Sequence, residues 1–122
     1  MTSNKQSNLK FFIAPNSTIG DAFSQFKLLG INCLVVVEKS KFLGTITDGD
    51  IRRALLKNAN MRTSIEKIYQ KNAFTFFEKD LDNQKIKQAF IKNHFSLIPI
   101  VNSKNIVVKV ITWFDFFGKK EL

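Results

Sequence analysis

The side chains best placed to do chemistry lie in one short stretch: Thr47, Asp48, Asp50 and Arg53. An apolar run through Leu43 and Ile46 precedes them, and Ile51, Ala54 and Leu55 follow at helical spacing. A strand that stops here and restarts as a helix brings a hydroxyl, two carboxylates and unpaired helix N–H groups to one point. Asp50 can accept two hydrogen bonds from a ligand. Its charge also suits a helix start for purely structural reasons. Thr47 can offer its hydroxyl to an anion, or cap the same helix. Arg53, one turn on, can reach an anion at the helix start, or pair with Asp50 for about 0.2–0.5 kcal/mol. Capping and ligand binding both remain open on these residues alone, and Arg52 reads as solvated.

A second copy of the corner follows in Val110, Ile111, Thr112 and Asp115. The duplication favours binding over capping, because two like corners in one short chain imply a repeated unit. The copy is degraded. Lys109 stands where the first half has Gly44, Trp113 and Phe114 replace Asp48 and Gly49, and no Arg follows Asp115. The two corners are therefore expected to be unequal, with Thr47/Asp50 the better one and aromatic bulk crowding the other. Alternatively, Trp113 and Phe114 pack on another subunit or on a domain that follows.

The elements that must position these corners also repeat. A short strand is predicted over Lys10–Ile13, then a helix capped by Ser17 or Thr18, with Asp21 completing a capping box and Gly30 ending it. Leu34–Val37 is a strand buried on both faces. Lys39–Lys41 turns the chain, Phe42–Thr47 is the next strand, and Asp50–Lys57 is a helix. In the second half the order is a short helical turn after Ser64 through Tyr69 and a strand over Ala73–Phe77. A helix capped by Asp82, strands over Leu97–Val101 and Ile106–Thr112, and a final helix over Phe114–Lys119 complete it. Ile31, Leu34 and Val37 match Phe95, Ile98 and Val101 at an offset of 64, while Thr47 and Asp50 match Thr112 and Asp115 at 65. The extra residue falls in the strand–strand turn, where insertion is tolerated. The fold class is α/β: two β-α-β-β-α repeats, residues 9–60 and 61–122, packed with pseudo-two-fold symmetry. Either repeat alone is too small to bury a comfortable core.

Composition narrows the function further. The net charge of +9 invites a nucleic-acid reading. However, only three of the nineteen basic residues are Arg, and the lysines are scattered. No aromatic-interleaved RNA-binding signature is present, so an acidic partner or an anionic small molecule is the expectation and nucleic acid is not. No apolar run is long enough to span a membrane, and Met1–Asn8 reads as a polar lead without the apolar core of a signal peptide. The lone Cys33 lies in an apolar run and reads as a small buried hydrophobe, which fits a cytoplasmic protein. His94 takes the place of Gly30 at a helix end, and no Ser or Cys is spaced to form a triad with it. Asp48 and Asp50 form an unspecific Asp-x-Asp pattern, and there is no P-loop. No catalytic residue, metal or cofactor is expected.

The chain resembles a tandem pair of CBS domains (a Bateman module). The resemblance rests on Gly30, Ile31 and Leu34–Val37, then Leu43, Gly44, Ile46, Thr47, Asp50 and Ile51. In the second half it rests on Phe95 and Ile98–Val101, then Val110, Ile111, Thr112, Asp115 and Phe116. The stretch from Gly44 to Leu56 is similar to pairs attached to bacterial sugar-1-phosphate nucleotidyltransferases, and next to those on sugar-phosphate isomerases. This resemblance implies a cleft between the repeats that binds AMP, ATP or S-adenosylmethionine. Asp50 and Asp115 would hold ribose hydroxyls, and Thr47, Thr112 and Arg53 would hold phosphate. Ile31, Asn32, Phe95 and Ser96 would read the adenine edge, and Thr45 and Val110 would line the slot. It further implies a homodimer formed through helices and a regulatory piece that is either free-standing or part of a longer enzyme. The alternative is a structural dimerisation module with vestigial ligand sites.

Overall fold

A computed structural model of the chain describes residues 8–118. The first repeat holds β1 (Phe12–Ile13), α1 (Ile19–Leu29), β2 (Cys33–Glu38), β3 (Lys41–Thr47) and α2 (Asp48–Leu56). The second holds β4 (Phe76–Phe77), α3 (Asn83–Asn93), β5 (Leu97–Val101), β6 (Val107–Thr112) and α4 (Trp113–Phe117), with short 3₁₀ turns at Ile65–Lys67 and Glu78–Asp80. Each repeat forms a three-stranded sheet in sequence order, its first strand parallel and its last antiparallel to the middle one. The predicted α/β repeat architecture is the observed one.

Local chemistry explains the helix bounds. Thr18 caps α1 in a reciprocal box with Asp21, and Gly30 closes it at φ 66°. His94 closes α3 in the same left-handed conformation at φ 55°, doing with a side chain what Gly30 does without one. The first strand of each repeat is shorter than predicted. Asn8 and Phe11 form a turn, with the Phe11 N–H donating to Asn8 O, so pairing starts only at Phe12. Of the polar lead predicted over residues 1–8, only Asn8 lies among the described residues.

Alternation along β2 builds two cores from one strand. Leu34 and Val36 face α1 with Ile13, Ile19, Ala22, Phe26 and Ile46. Cys33, Val35 and Val37 face the other repeat, meeting Leu97, Val101, Val107 and Val110. That shared layer supplies the apolar burial neither repeat has alone, at about 1.5–3 kcal/mol per fully buried aliphatic side chain. The sheets also touch at their hairpin ends, where Phe42 N–H donates to Asn105 O at 2.9 Å and Val107 N–H donates to Ser40 O at 2.9 Å.

The segment between the repeats packs on the first one. Ile65 is buried in the first core, with Ala59, Ile68 and Tyr69 against it. Thr45 and Gln70 exchange backbone hydrogen bonds at 3.1 and 2.8 Å. The segment through Gln70 therefore packs with the first repeat. A residue ahead of β1 makes the reciprocal move: Asn8, 6% exposed, bonds by its side chain to Val108 O and Val110 N of β6. Each repeat thus has the outer edge of its last strand covered by a residue preceding the other repeat's first strand.

Candidate functional site

The two corners share a backbone design and differ in their carboxylates. Thr47 caps α2, accepting from Asp50 N–H at 3.2 Å, and Thr112 caps α4, accepting from Asp115 N–H at 3.0 Å. Each corner is tied to the loop before its repeat's middle strand. Asp48 N–H donates to Asn32 O, and Trp113 N–H donates to Ser96 O. Ser96 Oγ in turn donates to Asn32 Oδ1 at 2.6 Å, so these loops meet at the junction of the repeats.

Asp50 is 4% exposed and fully engaged. Its Oδ2 accepts from Thr47 N–H at 2.9 Å and from Thr47 Oγ1 at 3.1 Å. Its Oδ1 accepts from Arg53 Nη2 at 2.6 Å and from Gln70 Nε2 at 3.1 Å. Four donors match the capacity of an ionised carboxylate. Arg53 bonds to Asp50, and Arg52, as a solvated side chain, pairs with Asp48 at 2.9 Å on the surface. Asp115 is exposed, and among the described residues its carboxylate accepts no hydrogen bond.

Open space follows that difference. A cleft of about 1140 Å³ lies at the repeat junction, and it gathers Ile31, Asn32, Phe95, Ser96, Thr112 and Asp115. Six of the eleven candidate site residues therefore share one wall system. Thr47, Asp50, Arg53, Thr45 and Val110 are not among its lining residues. Thr45 pairs with the inter-repeat segment, and Val110 is buried at 5% with its N–H on Asn8.

The sequence ranked the Thr47/Asp50 corner first, on the ground that Trp113 and Phe114 would crowd the other. The 1140 Å³ cleft lies at the Thr112/Asp115 corner. Trp113 stands tilted on Phe117 at 4.3 Å between ring centroids and edge-on to Phe90 at 5.9 Å, so it forms a wall rather than a filling. Phe114 is 71% exposed. Gly44 is explained by something other than a ligand: a Cβ there would overlap the Gln70 carbonyl oxygen.

Sequence reasoning missed the opposite wall, which comes from the first repeat: Lys10, Phe11, Phe23, Phe26, Lys27 and, at the rim, Asp48. The repeat offset held the clue, because repeats meeting through their middle strands bring the last corner of one against the first strand and helix of the other.

Behind the cleft, burial pushes the Cys33 thiol up to about 12, helped by the charges of Asp50 and Asp48. That thiol is neutral near pH 7 and is packing material rather than a nucleophile. Among the described residues no cluster of His, Cys, Asp and Glu could hold a metal ion, and no helix is long and apolar enough to cross a membrane.

Residues 8–57 match the family model of the CBS domain. The fold aligns with the CBS domains of a transcriptional regulator from Streptococcus pneumoniae at a TM-score of 0.75 and 18% identity, over 92% of this chain and 91% of that one. It aligns with CBSX2, solved in complex with AMP, at a TM-score of 0.71 and 11% identity, over 88% and 84%. An uncharacterised protein from Helicobacter pylori is 30% identical over 103 residues, which is 81% of this chain and 30% of the relative. The chain thus spans under a third of that relative's length. The first half of the chain thus matches the CBS domain model, and the two halves together have the fold of a CBS domain pair.

Proposed function

We propose that this chain is a regulatory, ligand-sensing CBS pair that binds an adenosine nucleotide, AMP or ATP, in the junction cleft. The observation that carries the reading is the contrast between the two aspartates. Asp50 has its four hydrogen bonds from within the chain, whereas Asp115 lines a large cleft and its carboxylate accepts no hydrogen bond among the described residues. An ionised carboxylate with both oxygens open suits the adjacent hydroxyls of a ribose. Ile31 and Phe95 offer apolar surface for a base, and Asn32 and Ser96 offer polar groups for its edge. The AMP held by CBSX2, similar in fold, supports the ligand class.

The regulated activity in this reading is a sugar-phosphate nucleotidyltransferase or isomerase, in the same polypeptide or a separate one. Its support is the resemblance of the Gly44–Leu56 stretch to the pairs attached to such enzymes. The module itself carries no catalysis. Two copies assemble into a homodimer through their helices, for which the exposed Leu28, Leu55 and Leu56 provide apolar surface. Thermal unfolding with AMP and ATP tests the ligand. At about 100 times the dissociation constant the stabilisation is about 2.7 kcal/mol. No shift at millimolar nucleotide would sink the sensing role and leave the dimerisation module standing.

A further inference from the structure

We propose that Lys10 is the residue by which the cleft tells a nucleotide from a nucleoside, supplying the cation that receives the ligand's phosphate. The inference rests on the adenosine-nucleotide reading of the cleft and assigns its charge selectivity.

Three features single out Lys10. Its backbone carbonyl accepts from Gln25 Nε2 of α1 at 3.1 Å, and the same amide donates to Phe12 O at 2.8 Å. Two residues earlier, Asn8 is clamped to β6 of the opposite repeat. The exposed Lys10 lines the cleft, and its Nζ lies 5.3 Å from the centroid of the Phe11 ring, another lining residue. Among the described residues no carboxylate lies within ion-pair distance of Lys10, since both ion pairs belong to Arg52 and Arg53. A positioned cation without a counter-ion gains most from an arriving phosphate, because its charge-assisted hydrogen bonds replace only water.

The assignment implies a polarity. Asp115 of the second repeat takes the ribose and Lys10 of the first takes the phosphate, so the ligand spans both repeats. Lys27, at the end of α1, lines the same side and adds a second positive charge. A nucleoside reaches Asp115 but leaves Lys10 unused, and it loses that part of the affinity. Arg53 does not supply the cation, because its guanidinium is bonded to Asp50.

The test is a pair of calorimetric titrations, AMP and adenosine, on the intact chain and on Lys10→Ala and Lys10→Arg. AMP is expected to bind about tenfold more tightly than adenosine in the parent chain. Lys10→Ala brings the ratio near unity while the adenosine affinity holds, and Lys10→Arg keeps the preference. A role confined to packing would move both ligands together. An unchanged ratio in Lys10→Ala overturns the assignment and spares the cleft. Adenosine and AMP binding equally to the parent chain overturns it too. Binding of neither ligand overturns it together with the nucleotide reading beneath it.

Discussion

The Asn8 side chain and the Val110 backbone are hydrogen-bonded at 3.1 Å across 102 positions of sequence. With the Asn8 Nδ2 bond to Val108 O at 3.0 Å, the amide acts as one link of an added strand on β6. Gln70 does the same for β3 with its backbone. Each repeat is closed by chain belonging to the lead of the other, which couples them beyond their shared apolar layer.

Asn8→Ala removes both bonds at a site that is 6% exposed and leaves the Val110 N–H without its partner. The expected loss is about 1–3 kcal/mol, since an orphaned buried donor costs more than a hydrogen bond gains. Urea unfolding at neutral pH measures it. A change under about 0.3 kcal/mol would mean that water replaces the amide and the clamp contributes nothing.

Gly44 is held to glycine by a neighbour, not by its own dihedrals. A side chain there meets Gln70 and, at 2.8 Å, the Tyr69 ring. Gly44→Ala pushes the inter-repeat segment off β3 and is expected to cost about 2 kcal/mol. The matched residue Lys109 is exposed. Lys109→Ala is therefore expected within about 0.5 kcal/mol of the parent chain. Equal effects at both positions would refute the steric account.

These pairs show which parts of the molecule could be read from sequence. The helices were legible because their caps are local: Thr18 with Asp21, Gly30 and Thr112 each act within a few residues. The buried middle strands were legible from β-branched runs, and the repeat from its offset. Asn8, Gln70 and Lys10 were not. Their roles depend on which strand edge or cleft wall the opposite repeat presents, and nothing near them in sequence encodes that. For the same reason Asp50 looked open: the Gln70 amide that fills its last acceptor comes from twenty residues away.

Cys33 gives the fold a pH dependence with a definite sign. Its ordinary value of 9.0 is raised to about 12, mainly by burial. Below pH 9 both folded and unfolded chains keep the proton, and the contribution is fully present. As pH rises from 9 toward 12 the unfolded thiol ionises while the folded one does not, so stability falls. At pH about 10.5 the loss is about 2 kcal/mol. Lysines titrate in the same range, so the informative quantity is the slope of the parent chain minus that of Cys33→Ala. Equal slopes would show that the thiol ionises as readily folded as unfolded.

Asp50 and Asp115 occupy matched positions and should respond to substitution in opposite ways. Asp50→Ala keeps the Thr47 cap, which uses the Asp50 backbone N–H, but removes the reciprocal half of the capping box and a buried carboxylate that ties Thr47, Arg53 and Gln70 together. About 1–2 kcal/mol of stability should go with it, from the broken box and the lost carboxylate hydrogen bonds, the exposed Arg53 pair adding little. Asp115→Ala keeps the Thr112 cap, because that bond uses the Asp115 backbone N–H. The exposed carboxylate has no other described partner, so stability should stay within about 0.5 kcal/mol. Its effect should appear only with nucleotide present, as loss of the AMP-induced rise in unfolding temperature. Melting curves of both variants, with and without AMP, separate the two roles. If Asp115→Ala retained the rise while a folded Asp50→Ala lost it, the ligand would have to displace Gln70 and Arg53 and bind at the first corner.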